Sequence, residues 1–159
     1  MGRTRFDSIA ALIEHDAASP LASDEFDTQL WLLMIQKIDR PSDLEHLPRP
    51  VAVYHASRLL QWEVLNGGFG QAAGNIPVWF ELVAVGYSAL GMRKSAGLIR
   101  EARDCLTEDR IKLIDQSLLD ESTIEKLAAL DERIPEDEFC IDDERVEYVR
   151  KHRDAFRIV

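Results

Sequence analysis

Carboxylates are the residues of this chain best placed to act chemically. Residues 131–147, DERIPEDEFCIDDERVE, hold nine of them: Asp131, Glu132, Glu136, Asp137, Glu138, Asp142, Asp143, Glu144 and Glu147. Two arginines accompany them, so this stretch carries −7 of the chain's net −10. Such a surface repels nucleic acid and attracts cationic partners through a field that salt screens. The segment is therefore either a solubilising coat or a partner-binding surface for something basic.

Other chemistries fit less well. Calcium in an EF-hand loop needs alternating oxygen ligands around a central glycine, and EDEFCIDDE has apolar residues and no glycine. The glycines of GGFGQAAG invite a phosphate-loop reading, but they follow a helical pattern and lack the Gly-Lys-Ser/Thr ending. A tight helix–helix corner accounts for them better. Gly86-Tyr87-Ser88-Ala89-Leu90-Gly91 places its second glycine one residue too late for a nucleophile elbow, which leaves Ser88 as a small packing residue. The histidines at 15, 46, 55 and 152 form no metal-binding pair, and no cofactor or metal site is expected. His55, Glu63 and Asn66 are the best candidates for an enzymatic pocket, yet neither a nucleophile nor an electrophile accompanies them. No catalytic residue is assigned. The tryptophans at 31, 62 and 79 lie in apolar helices, where packing explains them, with one available to an interface.

The elements that position these residues are helical. Charge is uneven, with −4 over residues 1–50, +2 over 51–100 and −8 over 101–159, so the centre reads as core and the ends as its solvated wrapping. Phe6, Ile9, Ala10 and Ile13 give a first helix over 5–17. Asp24, Glu25 and Asp27 charge the first turn of a second, whose apolar face is Phe26, Leu30, Leu33, Met34 and Ile38. A proline-rich loop follows, with a turn at Ser42–Glu45. Pro50 opens a third helix, which Asn66-Gly67-Gly68 closes, with Gly67 or Gly68 at positive φ. Asn75 and Pro77 open a fourth, ended by Gly91. Met92 to Leu106 is a fifth, Thr107 caps a sixth through Leu118, and a Ser122–Glu125 capping box starts a seventh that Pro135 stops. The acidic segment follows as loop, and a last helix carries Val146, Val149 and Phe156. Period-two alternation is absent, so the class is all-α: one domain over 1–159, a bundle of about seven to eight helices.

Cys105 and Cys140 lack the spacing of a zinc site or a disulfide framework. Glu14, His15 and Asp16 interrupt any signal-peptide apolar region, and no apolar run is long enough to span a bilayer. A cytoplasmic protein is expected, without membrane association.

Glu63-Val64-Leu65-Asn66-Gly67-Gly68-Phe69-Gly70-Gln71, with Tyr54 before it and Asn75 after it, resembles the E-V-x-N-G-G-F-x-Q signature of a bacterial DNA-mimic protein family. The resemblance extends through the fourth helix and, faintly, to Tyr148-Val149-Arg150 and Asp154-Ala155-Phe156. Leu65 and Ala72-Ala73 depart from it, standing where the family has Asn and an aromatic pair. What the resemblance implies is a helical homodimer that is not an enzyme. Its acidic face would occupy the DNA-binding face of a transcription regulator or other cationic protein, without binding nucleic acid directly. Glu63, Asn66, Gly67, Gly68, Phe69, Gln71 and Asn75 are then scaffold, with Glu63, Asn66 and Gln71 bonding exposed backbone ends at the corner. An immunity- or antitoxin-like protein that blocks a basic toxin is the alternative binding role, and the pocket around Glu63, Asn66 and His55 the enzymatic one.

Overall fold

The structure, a computed structural model, describes residues 5–38, 43, 46–106, 119–135 and 139–159. Among these residues every regular element is helical: eight α-helices, one 3-10 turn and no strand, the all-α class expected. The elements fall into two compact units, Met1–His55 with Ile141–Val159, and Ala56–Cys140.

The first unit holds α1 (Ile9–Ala18), α2 (Ser23–Met34), the opening of α3 (Arg49–Asn75), α7 (Asp142–Lys151) and α8 (Arg153–Arg157). Ser8 sets the start of α1, four residues later than its apolar spacing suggests, because its hydroxyl accepts the Ala11 N–H at 3.1 Å. α1 lies against α2 and α8, and α2 lies against α7. Their shared core includes Ile9, Leu12, Phe26, Leu30, Met34, Val146, Val149 and Phe156. Tyr54 crosses Phe156 edge-on and donates its hydroxyl to the Asp27 carbonyl at 3.1 Å. Two ion pairs sit inside this apolar packing. Asp27, read from sequence as first-turn surface charge, is buried and accepts from Arg145, itself fully buried and bound also to Asp142. Buried Asp16 takes both Nε and Nη2 of Arg150, which stacks over Phe26 and also donates to the Leu21 carbonyl.

The second unit holds the remainder of α3, a 3-10 turn at Pro77–Trp79, α4 (Phe80–Ala89), α5 (Arg93–Asp104) and α6 (Glu121–Asp131). Helix α3 resumes directly after Gly67 and Gly68, so the stretch read as a glycine corner contains a further helical limb, residues 69–75. Gly91, at φ 87°, ends α4: its N–H meets the Ser88 carbonyl and the Met92 N–H meets the Tyr87 carbonyl. These paired bonds are the helix stop that glycine makes easy. Ser88 is exposed and accepts from Arg100 at 3.0 Å, so it is not a packing residue. Asp120, rather than Ser122, caps α6 by accepting the Thr123 N–H at 2.8 Å. A carboxylate one residue outside the helix is better placed to accept a first-turn N–H than a hydroxyl already inside that turn.

Two further expectations need correction. The segment 131–147 is not a loop throughout, since Asp131 ends α6 and 142–147 begin α7. The final helix is two helices that meet at His152. The predicted helix from Thr107 and most of the Ser42–Glu45 turn lie outside the described residues.

Candidate functional site

The signature builds a sharp bend in α3. Its first limb ends at Asn66, whose side-chain amide donates back to the Trp62 carbonyl at 2.8 Å and satisfies one group of the last turn. Gly67 is extended, and Gly68 takes φ 71°, ψ −173°, a region essentially reserved for glycine. The second limb then starts at Phe69, whose N–H has no preceding helical turn to accept it. Asp131 supplies the acceptor from the end of α6, its Oδ1 lying 2.8 Å from the Phe69 nitrogen. A Cβ on Gly68 would stand 2.2 Å from Asp131 Oδ2, and one on Gly67 would stand 2.4 Å from Gln71 Oε1. Gly68 is therefore required by close approach and by conformation, whereas a side chain at Gly67 would chiefly push aside the flexible end of Gln71.

A second clamp crosses the bend. Glu63 Oε2 accepts from Gln71 Nε2 at 3.0 Å and from Asn75 Nδ2 at 2.8 Å. Glu63 and Gln71 therefore bond side chain to side chain, whereas the sequence reading had them bonding backbone ends; of the three residues so read, Asn66 does so. Phe69 is buried beneath the corner together with Ala72 and Ala73. Leu65 and Trp62 face outward, at 61% and 52% exposure.

The nine carboxylates of 131–147 do not share one setting. Asp131 is half-buried at the corner; burial raises its pKa from the ordinary 3.8, against the lowering effect of the Phe69 N–H. Glu132 is exposed beside it. Glu136, Asp137 and Glu138 lie outside the described residues. Asp142 is paired with Arg145, and Asp143, Glu144 and Glu147 are exposed on α7. Asp142, Asp143 and Glu144 fill the first turn of α7, and Arg150 and Lys151 its last, an order that the helix macrodipole favours. Residues 131–140 belong to the second unit and 141–147 to the first.

A further acidic row lies outside the segment singled out from sequence. Glu121 and Glu125 on α6, with Glu132 at its end, are all exposed. At ~100° per residue they fall within an arc of roughly 40°, opposite Leu127 and Leu130, which are buried. The i, i+4, i+11 spacing was readable, but the capping-box reading of Ser122 and Glu125 hid it. Glu121 suits a helix N-terminus, whereas Glu132 sits at the C-terminal end, where the dipole disfavours a carboxylate.

His55 is buried in the first unit against Trp31, with ring centroids 5.2 Å apart, and burial lowers its pKa to about 4 despite the charge of Asp43. It is thus a neutral imidazole at pH 7. Glu63 and Asn66 belong to the second unit and are engaged as described. Cys105 and Cys140 are free thiols. Among the described residues no cluster of His, Cys, Asp or Glu is placed to hold a metal ion, and no helix is long and apolar enough to cross a membrane.

Fold and site together define an all-α protein built on a carboxylate-latched Gly-Gly bend, with its exposed charge predominantly acidic. Residues 45–152 match the DMP19-like protein family, so the chain belongs to that family, one of DNA-mimic proteins. No curated protein and no solved structure matches the chain.

Proposed function

We propose that this protein is an acidic binding module, a DNA mimic whose exposed carboxylate rows occupy the DNA-binding face of a basic regulator. The observation that carries the reading is the row Glu121, Glu125 and Glu132, in a chain that belongs to a DNA-mimic family. Neither capping nor the helix dipole accounts for Glu125 and Glu132. Asp143, Glu144 and Glu147 supply a second exposed row on α7. Over the rise of ~6 Å from Asp143 to Glu147 that row sets roughly one carboxylate every 2–3 Å. B-DNA sets one phosphate per ~1.7 Å of axis, so the local densities are comparable. A lysine- or arginine-rich face shaped for duplex would find similar partners on these helices, already held by backbone hydrogen bonds.

A homodimer belongs to the same proposal. Two copies of a chain of charge −10 meet most favourably where charge is sparse. The exposed Trp62 and Leu65, one turn apart on α3, offer such a face. A cytoplasmic location is part of the same proposal, since that is where a DNA-binding regulator would be met.

The test begins with recovery of partners from cell lysate at low and at high salt, and duplex DNA then competes for the recovered protein. Glu121→Gln/Glu125→Gln/Glu132→Gln and Asp143→Asn/Glu144→Gln/Glu147→Gln should each lose affinity while melting only a few degrees below the parent, since each first-turn charge contributes about 0.3–1 kcal/mol at most. Exposed like charges contribute little to stability, which separates the two effects. Recovery of a toxin or nuclease that does not bind duplex would transfer the same surface to an immunity role.

A further inference from the structure

The acidic row of α6 is only as well oriented as the helix that carries it. Leu127 and Leu130 bury their side chains, but apolar contacts have no direction. Arg133, just beyond the helix, donates to both carboxylate oxygens of Glu101 on α5, at 2.6 and 3.1 Å; this fork also has direction, but both side chains are more than half exposed, where solvent screens the pair. Asp131 is different. Its bond to the Phe69 N–H is part-buried, charge-assisted and directional, and it joins residues 62 positions apart in sequence. Gly68 has no side chain in the space that the carboxylate fills. Because each helical residue advances ~100° around the axis, fixing Asp131 fixes the direction in which Glu132, Glu125 and Glu121 point.

We infer that Asp131 is a positioning residue: its bond to the Phe69 N–H at the Gly68 bend sets the roll of α6 and so aims the Glu121, Glu125 and Glu132 row at a cationic partner. This inference rests on the binding role proposed for that row, and its test reads the two separately. Spin labels at Gly70→Cys and Ala129→Cys, in a Cys105→Ser/Cys140→Ser background, report the distance between the second limb of α3 and α6. An alanine-based helical peptide with arginine at every fourth position serves as the binding probe at low salt. Asp131→Ala should shift or broaden the distance distribution, speed hydrogen exchange at the Phe69 amide, and weaken peptide binding about two- to thirty-fold. Asp131→Asn keeps an acceptor oxygen and should restore all three readouts. Leu130→Ala loosens the packing of the same helix without touching the latch, and should leave the distance and the binding near those of the parent. Should Asp131→Ala not fold, Asp131→Ser, too short to reach Phe69, carries the same expectation. An unchanged distance in the truncated variant overturns the inference. So does a shifted distance with unchanged peptide affinity. If the triple glutamine variant of the row binds the peptide as the parent does, the proposed binding role fails, while the distance measurement still reports whether the latch exists.

Discussion

Replacing Gly68 by alanine tests the bend at its tightest point. The new Cβ would lie 2.2 Å from Asp131 Oδ2 and 2.8 Å from its Cγ, closer than any real contact, on a backbone at φ 71°. Two penalties follow. The backbone conformation costs an alanine about 1–3 kcal/mol. Displacing the carboxylate removes a charge-assisted hydrogen bond worth about 1.5–3 kcal/mol and leaves the Phe69 N–H without its acceptor. The expected loss is therefore about 2.5–6 kcal/mol, a large share of the ~5–15 kcal/mol that stabilises a typical domain. At about 2–4 °C per kcal/mol for a chain of this size, the melting temperature should fall by roughly 5–24 °C. Calorimetry and urea titration measure it directly. A double-mutant cycle isolates the cause. In an Asp131→Ala background, Gly68→Ala should cost only the backbone strain, about 1–3 kcal/mol, so the double variant is less impaired than additivity requires. Strict additivity, or a Gly68→Ala protein that melts like the parent, would refute the latch.

The remaining predictions concern other parts of the molecule. Gly70→Ala and Gly97→Ala meet nothing within 4 Å on helical backbone, so each should raise stability by up to about 1 kcal/mol, read as a higher urea midpoint. Arg145→Ala strips buried Asp27 of its guanidinium and should cost about 3–5 kcal/mol, whereas Asp27→Asn/Arg145→Met should recover much of that loss in the same titration. Burial pushes the Asp16 carboxyl up, but Arg150 and the Leu21 N–H outweigh it and hold the pKa below the ordinary 3.8. The resulting stability is present above that value and lost as pH falls through the folded pKa. The melting-temperature gap between the parent and Arg150→Gln should thus be widest near neutrality and narrow at acid pH; a gap that grows on acidification would count against the pair. Sedimentation at micromolar concentration should show a species of twice 18.1 kDa that Trp62→Glu splits, and a monomer alone would refute the proposed dimer.

Helical periodicity carried most of the fold because each apolar face was sealed by residues with one strong local preference. Pro50 lies in the first turn of α3, Asp24 and Glu25 fill the first turn of α2, and Gly91 ends α4 at positive φ. The bend at Gly67 and Gly68 was legible for the same reason, and Gly68 takes the positive φ expected there. What stayed hidden was long-range. Asp27 reads as first-turn charge until α7 brings Arg145 to it across 118 residues. Asp131 reads as one acid in a cluster until α6 ends beside Phe69. Local composition cannot separate a carboxylate that latches a bend from one that faces water, since the difference is made by a neighbour distant in sequence. The same limit explains Glu63, whose partners Gln71 and Asn75 lie beyond the bend and come within reach only once the helix has folded back.

The central claim, that exposed carboxylate rows stand in for duplex phosphates, is tested most directly by competition. A labelled duplex is bound to the basic partner recovered from lysate, and the parent protein is titrated in at low salt. The account predicts full displacement of the duplex, weakened steeply by added salt, and a much higher concentration needed by the variant with Glu121, Glu125 and Glu132 changed to glutamine. Simultaneous binding of duplex and protein to the partner, or equal displacement by parent and variant, would contradict it.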